Sequence, residues 1–120
     1  MNAKNRRIGF SFAWNGIKEV FLSEFNFRLH TISALFVLLT GFYFRLATLE
    51  WAFIILSIGM VLITETMNTA IEKMVDYMKP EIHPTAKVIK DIAAGSVLLA
   101  TITAGLIGLV IFIPKVIELW

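Results

Sequence analysis

An all-α integral membrane protein, with three transmembrane helices preceded by an amphipathic interfacial helix, is the fold class that three features of this sequence predict. The first is composition. The 120 residues are 58% hydrophobic and 17% charged, with a mean hydropathy of +0.77, against roughly 45 to 50% apolar and 25% charged in an ordinary soluble domain. A chain this short has too much surface for its volume to hide such an excess in a core, so lipid is its natural solvent. The second feature is a set of three uncharged runs, 31–44, 51–64 and 92–113, bordered by His30, Arg45, Glu50, Glu65 and Asp91. The third is the placement of the 11 Lys and Arg residues. Nine of them precede the first run or lie between the second and third, and only Arg45 and Lys115 fall elsewhere.

The same composition excludes other classes. Disorder is incompatible with this hydropathy, and a net charge of +2 is too balanced to suggest nucleic acid as a partner. Without cysteine there are no disulfides, thiolate nucleophiles or cysteine metal sites.

Each element follows in order. A bilayer core of about 30 Å needs about 20 helical residues, so only the third run spans alone. The others must borrow neighbours, which predicts spans of 27–46, 49–71 and 92–113 within a single domain of residues 1–120. By the positive-inside rule the amino terminus and the 73–90 loop are cytoplasmic. The basic start at Lys4, Arg6 and Arg7 is followed by polar residues rather than an unbroken apolar core, so the first span is expected to act as the targeting signal. Before it, Phe10, Ala13, Trp14, Ile17, Val20, Phe21 and Glu24 recur at intervals of three and four. That spacing predicts an interfacial helix over 5–26 with Glu24 on its apolar face. Pro80 and Pro84 flank Glu81, Ile82 and His83, so the second helix should end near Lys79 and the next begin after Pro84.

The second span buries Glu65 and Asn68, and a carboxylate inside a span marks a functional site. At about 100° per residue, Glu72 and Asp76 lie within about 20° of Glu65 and Asn68 about 60° away, which makes one acidic stripe. Asp76, near the water, is explained by solvation alone; Glu65 is not. Met60, Met67 and Met74 run up the opposite side and read as packing or lipid contact. Lys87, Lys90 and Asp91 open the third span, ahead of Ala93-Ala94-Gly95. Carboxylates able to hold Mg²⁺ beside a lysine able to hold phosphate suit phosphoryl transfer; the same acids could equally relay protons. P-loop and protein-kinase motifs are absent, so any ATP site must be built from membrane helices. His30 and His83 are too isolated for zinc and read as interfacial or structural. Ser96, Ala100, Ala104 and Gly108, with Gly105 beside them, form a small-residue stripe that reads as an assembly face.

The run Glu65-x-x-Asn68-x-Ala70-x-Glu72-x-x-x-Asp76, followed by Lys90-Asp91-x-Ala93-Ala94-Gly95, resembles the signature of the bacterial integral-membrane diacylglycerol kinase family, which includes the undecaprenol kinases. Trp14-Asn15-Gly16 and the Glu24-x-x-x-Arg28 pair extend the resemblance over nearly the whole chain. It implies a homotrimer in the bacterial inner (plasma) membrane whose intersubunit sites use MgATP to phosphorylate a lipid hydroxyl. Glu65 would be the general base, Asn68 would orient the reacting groups and Asp76 would support the site. Glu24 and Glu72 would hold Mg²⁺ and with it the ATP phosphates. Lys90 and Asp91 would contact the nucleotide, Glu81, Ile82 and His83 would border it, and Phe12 stands where other members carry a tyrosine in that site. The lipid would meet Trp14, Arg28, Trp51, Glu65 and Ala94. Asn5 aligns with an arginine, for which Arg6 or Arg7 could substitute, and His30 replaces an acid. The Asn26-Phe27-Arg28-x-His30 run resembles the Gram-positive members, so undecaprenol is favoured as acceptor over diacylglycerol.

Overall fold

The computed structural model describes residues 3–120, with side chains from Gly9 onward. The side chains of Lys4, Asn5, Arg6 and Arg7 therefore lie outside the described residues, and with them the substitute cation. The described residues form four helices, α1 (Ala3–Ser23), α2 (Phe25–Phe44), α3 (Thr48–Met78) and α4 (Pro84–Glu118). The last three are long and apolar enough to cross a membrane.

The helix expected over 5–26 instead stops at Ser23, and the first span starts two residues early, at Phe25. Glu24 leaves the helix with φ −115° and ψ 112° and stands at the N-cap of α2. Arg28 accounts for the break. Its guanidinium donates to the carbonyls of Phe21 and Leu22 at 2.8 and 2.9 Å, satisfying acceptors that the last turn of a helix leaves unpaired. Glu24 is thus a hinge residue rather than a member of a helix face.

At the other end of α2 the chain reverses through Arg45, which is left-handed at φ 55°. The Leu46 N–H donates to the Gly41 carbonyl and the Arg45 N–H to that of Phe42, both at 3.2 Å, the paired bonds of a Schellman ending. Gly41 is required here, because a β-carbon would come within 2.7 Å of the Trp51 ring. Glu50 then accepts from the Ala47 N–H at 2.9 Å and pairs with Lys115 at 3.1 Å, tying the start of α3 to the end of α4. At the opposite end Pro84 opens α4, with His83 Nδ1 accepting from the Thr85 N–H at 3.1 Å.

α3 is the central helix. It packs most extensively on α4 and next on α2, and 33% of its apolar stretch is buried against 11% for each neighbour. Its buried positions Ile54, Val61, Asn68 and Val75 recur every seven residues, as do Ala86, Ala93 and Ala100 on α4. A seven-residue repeat is the pattern of two helices crossing at a shallow angle, and alanine on one side lets the backbones approach closely. The small-residue stripe expected to face other copies is therefore partly used within the chain: Ala100 is 4% exposed, and Ala104, Gly105 and Gly108 line a cavity of about 500 Å³ between α2, α3 and α4. Leu46, Ile54 and Ile111, packed with Phe44, Trp51 and Phe112, form the apolar core near the 45–50 turn. Met67 and Met74 point outward, as the packing or lipid reading expects.

Candidate active site

Glu65 lies in the second half of α3, toward its C-terminal end, and is 3% exposed. The Thr69 hydroxyl donates to its backbone carbonyl at 3.0 Å, so the neighbouring hydroxyl is already used and does not satisfy the carboxylate. His30, reaching across from α2, places Nε2 3.8 Å from Glu65 Oε2. The charges of Glu24 and Glu72 also act on Glu65. One turn along α3, Asn68 is buried; its Nδ2 donates to Glu72 Oε1 at 3.4 Å while its Oδ1 has no partner among the described residues. The hinge, α2 and α3 thus contribute Glu24, His30, and the Glu65, Asn68 and Glu72 set to one region. The acidic stripe becomes progressively wetter along α3, from buried Glu65 and Asn68 through half-buried Glu72 to exposed Asp76.

Asp76 belongs to a second feature, a pocket of about 220 Å³ in the turn between α3 and α4. Glu81, Ile82, His83 and Lys90 line it with Asp76, as do Lys79 and Lys87. Lys90 pairs with Asp76, Lys79 with Glu81 at 3.8 Å, and Lys87 with Asp91 at 2.6 Å. Asp91 is turned to Lys87 and does not line the pocket. Sequence reasoning grouped Lys87 with Lys90 and Asp91, gave the nucleotide to Lys90 and Asp91, and missed Lys79 as a further companion. The signal was present in the two prolines that fold Lys79 back against α4.

Other predicted positions are spread more widely. Phe12 and Trp14 are exposed on α1, and Ala94 is exposed beside buried Ala93. Arg28 commits one guanidinium nitrogen, Nη1, to the end of α1. Trp51 lies 14 residues before Glu65, about 21 Å along α3, where it fills the space over Gly41 and sits 4.8 Å from the Phe42 ring. Within one chain it does not meet the Glu65 region. Lys73 and Glu19, singled out by no sequence pattern, form an ion pair at 3.5 Å that holds α1 to α3.

Among the described residues no three His, Asp or Glu side chains gather closely enough to cage a metal. Magnesium does not require such a cage, since it is commonly held by one or two carboxylates together with nucleotide phosphates and water. Glu24 and Glu72, with the partnerless Asn68 Oδ1 beside them, are hard oxygen donors that fit this demand.

Comparison with known proteins agrees with this reading of the helices. Residues 11–112 match the family described as prokaryotic diacylglycerol kinase. The chain is 43% identical to the undecaprenol kinase of Bacillus subtilis over 106 residues, covering 88% of this chain and 86% of that protein. It is 36% identical to a diacylglycerol kinase of Synechocystis over 118 residues, 98% of this chain and 67% of that protein. With the diacylglycerol kinase of Escherichia coli it shares 28% identity over 93 residues, 78% and 76% of the two chains. Three apolar helices around a buried carboxylate are thus the frame of a membrane lipid kinase, and the chain belongs to the prokaryotic diacylglycerol kinase family.

Proposed function

We propose that this kinase transfers the γ-phosphate of MgATP to the hydroxyl of undecaprenol, giving undecaprenyl phosphate and ADP. The observation that carries the proposal is Glu65, a carboxylate 3% exposed in an apolar helix with acidic and amide neighbours leading from it toward the lysine-lined pocket at the α3–α4 turn. As the lipid oxygen attacks the γ-phosphorus, Glu65 takes its proton and ADP leaves with the electrons of the broken bond. A base this shielded from water is reached by a membrane alcohol more readily than by a soluble one.

Glu24 and Glu72 would hold Mg²⁺, which when bound offsets charge on the transferring phosphoryl group. Asn68 orients the reacting groups through its contact with Glu72. Lys90, bordered by Glu81, Ile82 and His83, holds the nucleotide, Asp91 acts on it through Lys87, and Asp76 supports the site by fixing Lys90. Phe12 takes the adenine side. Trp14, Arg28 and Ala94 meet the lipid near its head, and Trp51 meets its chain deeper in the membrane.

Residues 1–120 act as one domain, and α1 lies in the cytoplasmic interface of the bacterial inner membrane with the amino terminus inside. Three copies assemble. Phe12 and Trp14, exposed in one chain, then serve a site completed by a neighbour.

Undecaprenol is preferred because the relative named for it is 43% identical over 86% of its length. Diacylglycerol is the second reading, supported by the relative of that name matched over 98% of this chain. The test is transfer of radiolabelled γ-phosphate from MgATP to each lipid, offered separately to purified protein in mixed micelles, with Glu65→Gln as control. Undecaprenyl phosphate as main product supports the proposal. A diacylglycerol preference moves the protein to the second reading, and no transfer to either from a folded oligomer defeats both.

A further inference from the structure

We infer that His30 is a positioning residue for Glu65 and the outlet through which Glu65 loses the proton it takes from the lipid. The inference rests on the kinase reading above and concerns the step that must follow each transfer. Glu65 then carries the proton as a neutral acid, and no second lipid can react until it is gone. The Glu65 side chain is 4% exposed, so direct loss to water is obstructed; the His30 side chain, 3.8 Å away, is 24% exposed. An imidazole suits the gap because one ring nitrogen can accept a proton while the other releases one.

The other groups facing Glu65 are poorer outlets. Asn68 is an amide that carries no proton and is bound to Glu72. The Thr69 hydroxyl is spent on the Glu65 backbone carbonyl. Glu24 from the hinge and Glu72 from α3 are other charged groups that act on Glu65. Both are engaged by the nucleotide and its metal while the site is filled. The step balances: Glu65 passes its proton to His30 Nε2, leaving a carboxylate and an imidazolium, and the imidazolium releases a proton to water from Nδ1. The separation is longer than a hydrogen bond, and catalytic contacts commonly tighten when substrate binds.

The test uses the full chain in mixed micelles with undecaprenol as acceptor. Wild-type transfer, measured first, examines the kinase reading by itself. His30→Gln places an amide nitrogen where Nε2 stands, so it can still orient Glu65 but cannot carry a proton; His30→Ala leaves room for added imidazole. The expected result is a fall in kcat of about tenfold or more in His30→Gln with KM for ATP little changed. Added imidazole should restore His30→Ala. A wild-type kcat in His30→Gln would overturn the inference. So would a loss in His30→Ala that imidazole does not restore, because that outcome assigns His30 a structural part only.

Discussion

Asp76 near the end of α3 and Lys90 in the second turn of α4 meet as an ion pair across the turn that joins the two helices. Their side chains remain 61% and 36% exposed, so the pair adds only about 0 to 1 kcal/mol to folding. Its consequence is placement, since it holds one ammonium group against the pocket at that turn. Lys90→Met should therefore leave thermal unfolding in detergent within about 5 °C of wild type. KM for MgATP should rise by about tenfold or more, the loss of one charge-assisted hydrogen bond. An unchanged KM would remove Lys90 from the phosphate site.

Glu65→Gln tests the base. The substitution keeps shape and removes only the ability to accept a proton, so the helix and the His30 contact should survive. Turnover should fall by about two orders of magnitude or more, with nucleotide affinity close to wild type when measured by equilibrium binding. Undiminished turnover would end the assignment.

What the sequence could and could not convey follows from the range of each interaction. Spans and site helix were legible because they depend on local properties: uncharged runs set α2, α3 and α4, and Glu65 stands out as a charge where periodicity demands an apolar residue. The hinge at Glu24 was not legible. It depends on Arg28 reaching back to the carbonyls of Phe21 and Leu22, a side-chain contact that no periodicity registers. His30 was read as interfacial because its partner lies on another helix, and Ala100 was given to assembly because a small-residue stripe does not say which helix it meets.

Metal binding should be separable from folding at the hinge. The Glu24 carboxylate makes no capping hydrogen bond to α2, so Glu24→Ala should unfold near the wild-type temperature. The magnesium concentration giving half-maximal rate should rise by about 10- to 100-fold in Glu24→Ala, as for a lost metal contact, and similarly in Glu72→Ala. Chelation of magnesium should abolish transfer in the wild type. A wild-type magnesium dependence in both variants would place the metal elsewhere.

Ala100 distinguishes packing within the chain from assembly between chains. At 4% exposure a leucine there must force α4 away from α3, at a cost of about 1 to 3 kcal/mol. Ala100→Leu should lower the unfolding temperature and, through the shared seam, disturb Asn68 and turnover together. If oligomer size changed while the unfolding temperature stayed constant, Ala100 would face another copy instead.

The turn at the far end of the bundle should govern stability without touching chemistry. Arg45 occupies a left-handed position that costs a side-chain-bearing residue about 1 to 2 kcal/mol, while glycine gives back part of that gain through its freer unfolded chain. Arg45→Gly should therefore stabilise by about 0.5 to 1 kcal/mol net. Gly41→Ala should do the reverse, because the new methyl would sit 2.7 Å from the Trp51 ring and 3.0 Å from Leu46. The ring is packed on Phe42 and yields only with its neighbours, at about 1 to 3 kcal/mol. Denaturant unfolding in micelles measures both effects. Arg45 lies near the opposite end of the span from Glu65, so Arg45→Gly should keep wild-type kcat, and a lower kcat would show that this turn is coupled to the site.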